Sequence, residues 1–309
     1  MVRTFHEDVG AGEREHYAAL LFILLCVLFW GISFISTKVV LRQIPPATIV
    51  LYRQIIACLA LISLLPFWRC PSLPAREDVR RIAASAFLGI VMYFILENRG
   101  LEHTTASNAS LIVSALPIFT LFGEALLYHK KVGRWMMMYL LISIFGVYLV
   151  VSINGRLDLS SSQLFGNLLV LGAMACWVAY TLLNKGTAER YSSLNIIFYQ
   201  SLAAVFLCIP FAVAEKDRWI SPLGLSSATW LNVIFLGMFC SAWAYVFYIR
   251  ALGRLGPTIS AAFLNLIPVV TAVCGYLLLQ ERLTWIQVLG MILITLALYK
   301  LNSISSSGI

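Results

Sequence analysis

Long, nearly uncharged apolar stretches recur along the chain, and they constrain its fold more than any other feature. Tyr17 to Thr37 reads Y-A-A-L-L-F-I-L-L-C-V-L-F-W-G-I-S-F-I-S-T, without one charged side chain. A helix rises about 1.5 Å per residue, so a run of this length matches the thickness of a bilayer's hydrocarbon core. Hydrophobic residues are 61% of the 309 and charged residues 12%, against about half and about a quarter in soluble domains. Ten spans are expected, near 17–37, 47–67, 80–100, 104–127, 134–153, 164–184, 194–214, 230–250, 257–279 and 284–301. The expected fold class is an all-α membrane protein with short connections and no soluble domain.

The first 16 residues are too polar and acidic for a signal peptide, and the apolar run after them is too long for one. They read as a tail, and 302–309 as a second. The seven cysteines form no C-x-x-C pair, and six lie in apolar runs, so they read as small buried hydrophobes. No metal or cofactor is called for. The net charge of +8 fits basic cytoplasmic loops better than a nucleic-acid partner. Lys and Arg gather in alternate connections. One side collects Arg69, Arg76, Arg80, Arg81, Lys130 and Lys131, among others, and holds about twice as many as the opposite side. Both termini are therefore expected in the cytoplasm of a multi-pass protein of the cell membrane.

The halves repeat one another. W-G-I-S-F-I-S-T-K from Trp30 matches W-V-A-Y-T-L-L-N-K from Trp177, and Tyr52-Arg53 falls on Tyr199-Gln200 at the same offset of 147. F-L-G at Phe87 meets F-L-G at Phe235, and Pro117 meets Pro268. This implies a duplication: a first repeat over 17–153, a linker over 154–163 and a second repeat over 164–301. Five spans per copy make the second enter the membrane opposite to the first. The result is two inverted five-helix repeats, an arrangement that encloses a solute path in many secondary transporters.

Polar residues sit where such a path would run. Ser107, Ser110, Ser114 and Pro117 share one helical face, with Asn108 nearby. Their counterparts are Thr258, Ala261, Asn265 and Pro268. A mid-span proline frees a backbone carbonyl that lipid cannot satisfy, so this face belongs inside the protein or beside water. Close helix packing is the alternative reading of the small residues. Arg53, Glu97 and Asn108 share a depth in one third of the membrane, and Arg53 could pair with Glu97. The pair is either a static lock or a gate, with a proton as candidate coupling ion. Trp30, Tyr93, Trp177, Tyr245 and Tyr248 could line a pocket, or belong to the interfacial aromatic belt. Glu124 reads as an interfacial partner of Lys130 and Lys131, and Lys185 as an end residue reaching for the interface.

W-G-I-S-F…K, Y-R in the second span, E-N-R-G-L-E-H-T-T-A-S-N-A-S-L and P-I-F-T, with P-V-V-T-A-V-C-G-Y-L-L-L-Q-E-R-L-T from Pro268, resemble the EamA family of the drug/metabolite transporter superfamily. The likeness covers about residues 17–301. Where that family reads L-G-E-x-L-T, Gln280 replaces the glycine, and the first half has His129-Lys130 at the matching site. The resemblance implies a ten-helix carrier with a central cavity lined by spans 1, 3, 4, 6, 8 and 9. It also implies alternating access and substrates among amino acids, amines and related small solutes, often exported. A non-transporting scaffold or receptor is one alternative. A membrane-embedded enzyme is another, although no H-E-x-x-H or P-loop occurs. The oligomeric state is not read from the sequence; a monomer is compatible with it.

Overall fold

The protein is described by a computed structural model covering residues 2–63, 73–104, 112–129, 132–151, 161–279 and 284–306. Every regular element among them is helical. The first half holds α1 (Val2–Val40), α2 (Pro46–Ile62), α3 (Arg76–Ala86), a π-helical segment (Phe87–Met92), α4 (Tyr93–His103), α5 (Leu116–Tyr128) and α6 (Arg134–Val151). The second holds α7 (Ser161–Ala188), α8 (Ser193–Val213), α9 (Ser227–Phe235), a second π-helical segment (Leu236–Trp243), α10 (Ala244–Leu255), α11 (Pro257–Phe263), a 3₁₀ turn (Leu264–Leu266), α12 (Ile267–Leu279) and α13 (Trp285–Ser306). Seven described helices are long and apolar enough to cross a membrane, and Pro46–Ile62, Ile112–Tyr128 and Arg134–Val150 are shorter apolar helices.

Local chemistry sets the boundaries. Pro46 opens α2, where its missing N–H costs nothing. Ser192 and Ser226 cap α8 and α9 by accepting from the N–H groups of Asn195 and Thr229. Gly256, at φ 80°, stops α10, and Pro257 starts α11 directly after it. The two mid-span prolines break their helices rather than merely kinking them. Pro117 stands in the first turn of α5 behind a turn at Ala115, and Pro268 in the first turn of α12 behind the 3₁₀ turn. Proline cannot donate to the turn before it and clashes with the carbonyl four residues back, so the break falls there. The helix α1 runs on from Val2, before the expected first span, and α13 continues to Ser306.

Packing respects an exchange of the halves. The helix α1 packs on α10 and α12, while α7 packs on α4 and α5; α2 meets α8, and α6 meets α13. The two π segments occupy matching places, each opening at an F-L-G triplet. The polarity is that of a membrane protein. Leu21, Leu24, Leu28, Phe122, Leu126 and Phe206 are exposed, whereas Arg53, Gln54, Asn98, Asn184 and Gln200 are buried.

Each end of the bundle is tied by its own polar network. At the end carrying the 41–45 turn, here the Gln43 end, Glu215 accepts from the N–H groups of Ala47 and Thr48 at 2.9 and 3.1 Å. It thereby satisfies the free donors that open α2. Arg99 lies 3.5 Å from Glu215, and Arg218 3.0 Å from Glu102. At the opposite, Tyr128 end, Arg190 meets Asp78 at 2.8 Å. Glu124 corrects its sequence reading. It is fully buried, accepts from the Thr258 N–H at 3.1 Å and holds Lys185 at 3.3 Å. Lys185 turns inward to reach it and lies over the Tyr128 ring. A carboxylate one turn from a helix end here finds partners on neighbouring helices. Lys130 and Lys131 lie outside the described residues.

Candidate functional site

A cavity of about 60 Å³ runs between the halves. It extends from Thr37 and Leu101, near the Gln43 end, to Trp30 and Trp177 at mid-depth. The helices α1, α2, α4, α7 and the two broken segments contribute its walls. Of the residues singled out from the sequence, Trp30, Arg53, Tyr93, Glu97, Ser114, Trp177, Asn265 and Pro268 line it. Ser107, Asn108 and Ser110 lie outside the described residues.

Four other candidates stand elsewhere. Tyr245 and Tyr248 are fully buried beneath the cavity, against Trp30 and Trp177 with ring centroids 5.2–5.8 Å apart. With Tyr180 they form an aromatic floor. Thr258 lies at the Tyr128 end, bonded to Glu124. Pro117 is buried in the first turn of α5 but does not border the cavity. Shared helical phase with Ser114 and Asn265 predicted a place beside them. The helix breaks alter that phase between Ser114 and Pro117, and Thr258 lies too far along its helix.

The floor is closed below. Tyr248 and Thr181 share a hydrogen bond at 2.9 Å. Gln200 donates to Ser85 at 2.6 Å and to Asn184 at 2.8 Å. The Gln200–Ser85 bond joins the halves, α8 to α3, while the other two tie α7 to α10 and α8 within the second half, leaving no described opening toward the Tyr128 end along this line.

The π segments shape the floor and walls. A π turn takes one extra residue and loosens the regular carbonyl ladder. Aromatic donors reach such carbonyls here: Tyr245 Oη donates to Gly89 O at 3.1 Å, and Trp30 Nε1 to Cys240 O at 3.0 Å. Gly89 is required at its place, because a Cβ there would stand 2.1 Å from the Tyr180 ring.

The charged pair departs from expectation. Among the described residues no ion pair joins Arg53 to Glu97. Arg53, 2% exposed, donates from Nε to Ser241 Oγ at 3.0 Å, and its guanidinium lies 4.0 Å from the Phe94 ring centre. Its Nη2 is buried and has no hydrogen-bond partner among the described residues. Glu97 instead accepts from Tyr93 Oη at 2.8 Å. A guanidinium stays charged at any working pH. The cavity thus combines a fixed cation with an unused donor, a carboxyl group and several aromatic faces. It can receive an anionic group, a cationic or hydrogen-bonding group and an apolar body together.

Sequence reasoning missed Ser241, Phe94 and Glu215. Ser241 and Phe94 look like ordinary span residues, and the signal for Ser241 was only its nearness to the repeated F-L-G. Glu215 stands beside Lys216 and Arg218 in the sequence, where nothing sets it apart from ordinary loop charge. The lining also differs from that implied by the resemblance. The second span enters it through Arg53, while the eighth backs it through Ser241 and Tyr245.

Known proteins resemble this chain over most of its length. The model of the EamA-like transporter family matches residues 17–152 and 164–303. A protein of Archaeoglobus fulgidus named an uncharacterized transporter is 26% identical over 281 residues, covering 90% of this chain and 95% of its own. A probable amino-acid metabolite efflux pump of Escherichia coli (strain K12) is 26% identical over 287 residues, 89% of this chain and 92% of its own. A solved crystal structure shares the fold with a TM-score of 0.74 at 17% identity, covering 91% of this chain and 96% of its own.

Proposed function

The chain belongs to the EamA-like transporter family, and on that premise we propose that it is a secondary transporter exporting a small zwitterion of the amino-acid class. The observation that carries the substrate class is the buried Nη2 of Arg53, unpartnered among the described residues, in the same cavity wall as Glu97. A substrate carboxylate would meet Arg53, and its ammonium would meet Glu97. Its apolar part would rest on Phe94, Trp30 and Trp177. The efflux-pump name of the Escherichia coli relative agrees with this class.

The architecture is read as ten spans in two inverted repeats, 17–153 and 164–301. The exchange of packing partners between halves and the two matching π segments support it. With both termini cytoplasmic, as the loop charges favour, the cavity faces outward and the aromatic floor closes the cytoplasmic side. Alternating access requires the floor bonds between Tyr248 and Thr181 and around Gln200 to part while the Gln43 end closes. Glu97 is the group proposed to couple a proton to that exchange. A scaffold or receptor would need neither a buried unpaired cation nor broken helices around a hollow.

The test is transport by the purified protein in liposomes. Radiolabelled amino acids, amines and sugars are offered with and without a pH gradient. Counterflow of at least one amino acid, with none of a sugar, is expected. Movement of sugars with none of the zwitterions would overturn the assignment.

A further inference from the structure

A second concavity lies on the outside of the bundle, toward the membrane. It is a groove of about 690 Å³ whose bed is α7 and whose sides are α3 and α5. Phe119 and Leu171 line one end and are half-exposed; Leu127 and Tyr128 line the other. This is an apolar recess on a surface that already faces hydrocarbon.

One charged residue lines it. Arg81 projects from α3 near the Tyr128 end, where chain connections begin. Its guanidinium lies against α7 at Gly186, where a Cβ would come within 3.0 Å of Nη1. Its Nε is buried and has no hydrogen-bond partner among the described residues. A buried donor on a cation is costly to leave unmade and favours an anionic acceptor. The apolar bed beyond it takes hydrocarbon. Exposed Arg76 and Arg80 on the same helix add positive potential.

We propose that this groove is a binding site for an anionic phospholipid, with its phosphate on Arg81 and an acyl chain along α7 between α3 and α5. The site is separate from the solute cavity and stands whether or not the substrate class above is right. The recess supplies shape and contact for the chain, and Arg81 supplies selectivity for the headgroup.

Native mass spectrometry of the detergent-solubilised full chain tests this, with dioleoyl phosphatidylglycerol against dioleoyl phosphatidylcholine. The tails are identical, so a difference reports the headgroup. Wild type is expected to retain the anionic lipid about fivefold better, the factor one basic group near the headgroup supplies. Arg81→Gln should abolish that preference while leaving phosphatidylcholine unchanged. Arg80→Gln should keep it. Ala175→Phe, an exposed position in the groove, should reduce both lipids by filling the bed. Variants are compared only where they elute as a single species, and either Arg81→Gln or Ala175→Phe suffices. Equal retention of the two lipids by wild type, or a preference that survives Arg81→Gln, overturns the proposal. So does a two-chain mass that Ala175→Phe removes, which would assign the groove to a second copy.

Discussion

Replacing Arg53 by Met should abolish high-affinity transport while leaving the fold intact. In the folded protein the guanidinium gains one charge-assisted hydrogen bond to Ser241 and one cation–π contact with Phe94. These contribute about 1.5–3 kcal/mol and about 2 kcal/mol. Against them stands a desolvation cost of several kcal/mol for a cation that is 2% exposed and has Nη2 unpaired. The terms nearly cancel. An apolar side chain of similar reach should therefore shift stability by no more than about 1 kcal/mol in either direction. Binding is different. A substrate carboxylate that loses this partner forgoes about 2–3 kcal/mol, or about 30- to 150-fold in apparent affinity. Concentration-dependent uptake in proteoliposomes measures the second quantity, and thermal melting in detergent the first. The amine lacking the substrate's carboxylate serves as the control, because its affinity should not move. Arg53→Lys should fall between wild type and Met, since a point charge lacks the guanidinium's fork. The reasoning fails if Arg53→Met lowers Tm by several degrees and loses transport only in proportion to folded protein. It fails equally if the amine and the zwitterion lose affinity alike.

Glu97→Gln should flatten the dependence of uptake on the pH gradient while keeping counterflow; an unchanged gradient response would remove Glu97 from coupling. Gly290→Ala should lower thermal stability by about 1–3 kcal/mol, because its Cβ would stand 2.6 Å from the Gly146 carbonyl oxygen and force α13 off α6; melting in detergent reads this. His129 closes α5 at φ 52°, a left-handed conformation that glycine takes freely. His129→Gly should therefore raise stability by about 1 kcal/mol, seen as a higher melting temperature with unchanged uptake.

That last position shows how far sequence and structure speak to each other. The resemblance noted a glycine in the family at the site where this chain has His129, without a reason. The backbone supplies the reason, since the residue must turn the chain left-handed to end α5.

Much was legible from the residues alone because the membrane leaves few options. Apolar runs of bilayer length must be helices, since lipid offers no partner for an open backbone. Recurring motifs at a near-constant offset implied two related halves, and prolines in mid-span implied broken helices. Trp30, Tyr93, Glu97, Arg53, Trp177 and Asn265 were recognisable because polar and aromatic groups inside spans need an interior to face.

What the sequence could not decide was which neighbour each of those groups would choose. Arg53 turned to Ser241 and Phe94 instead of Glu97, and Glu124 reached Thr258 and Lys185 on neighbouring helices. Tyr245 and Tyr248 became the floor rather than the wall. Such choices depend on helix rotation and on extra residues in the π segments, which change the facing of every side chain beyond them. Periodicity along one helix fixes what must be hidden from lipid. Only the packing of all the helices fixes which hidden group touches which, because partner distances across helices are set by contacts far apart in the chain.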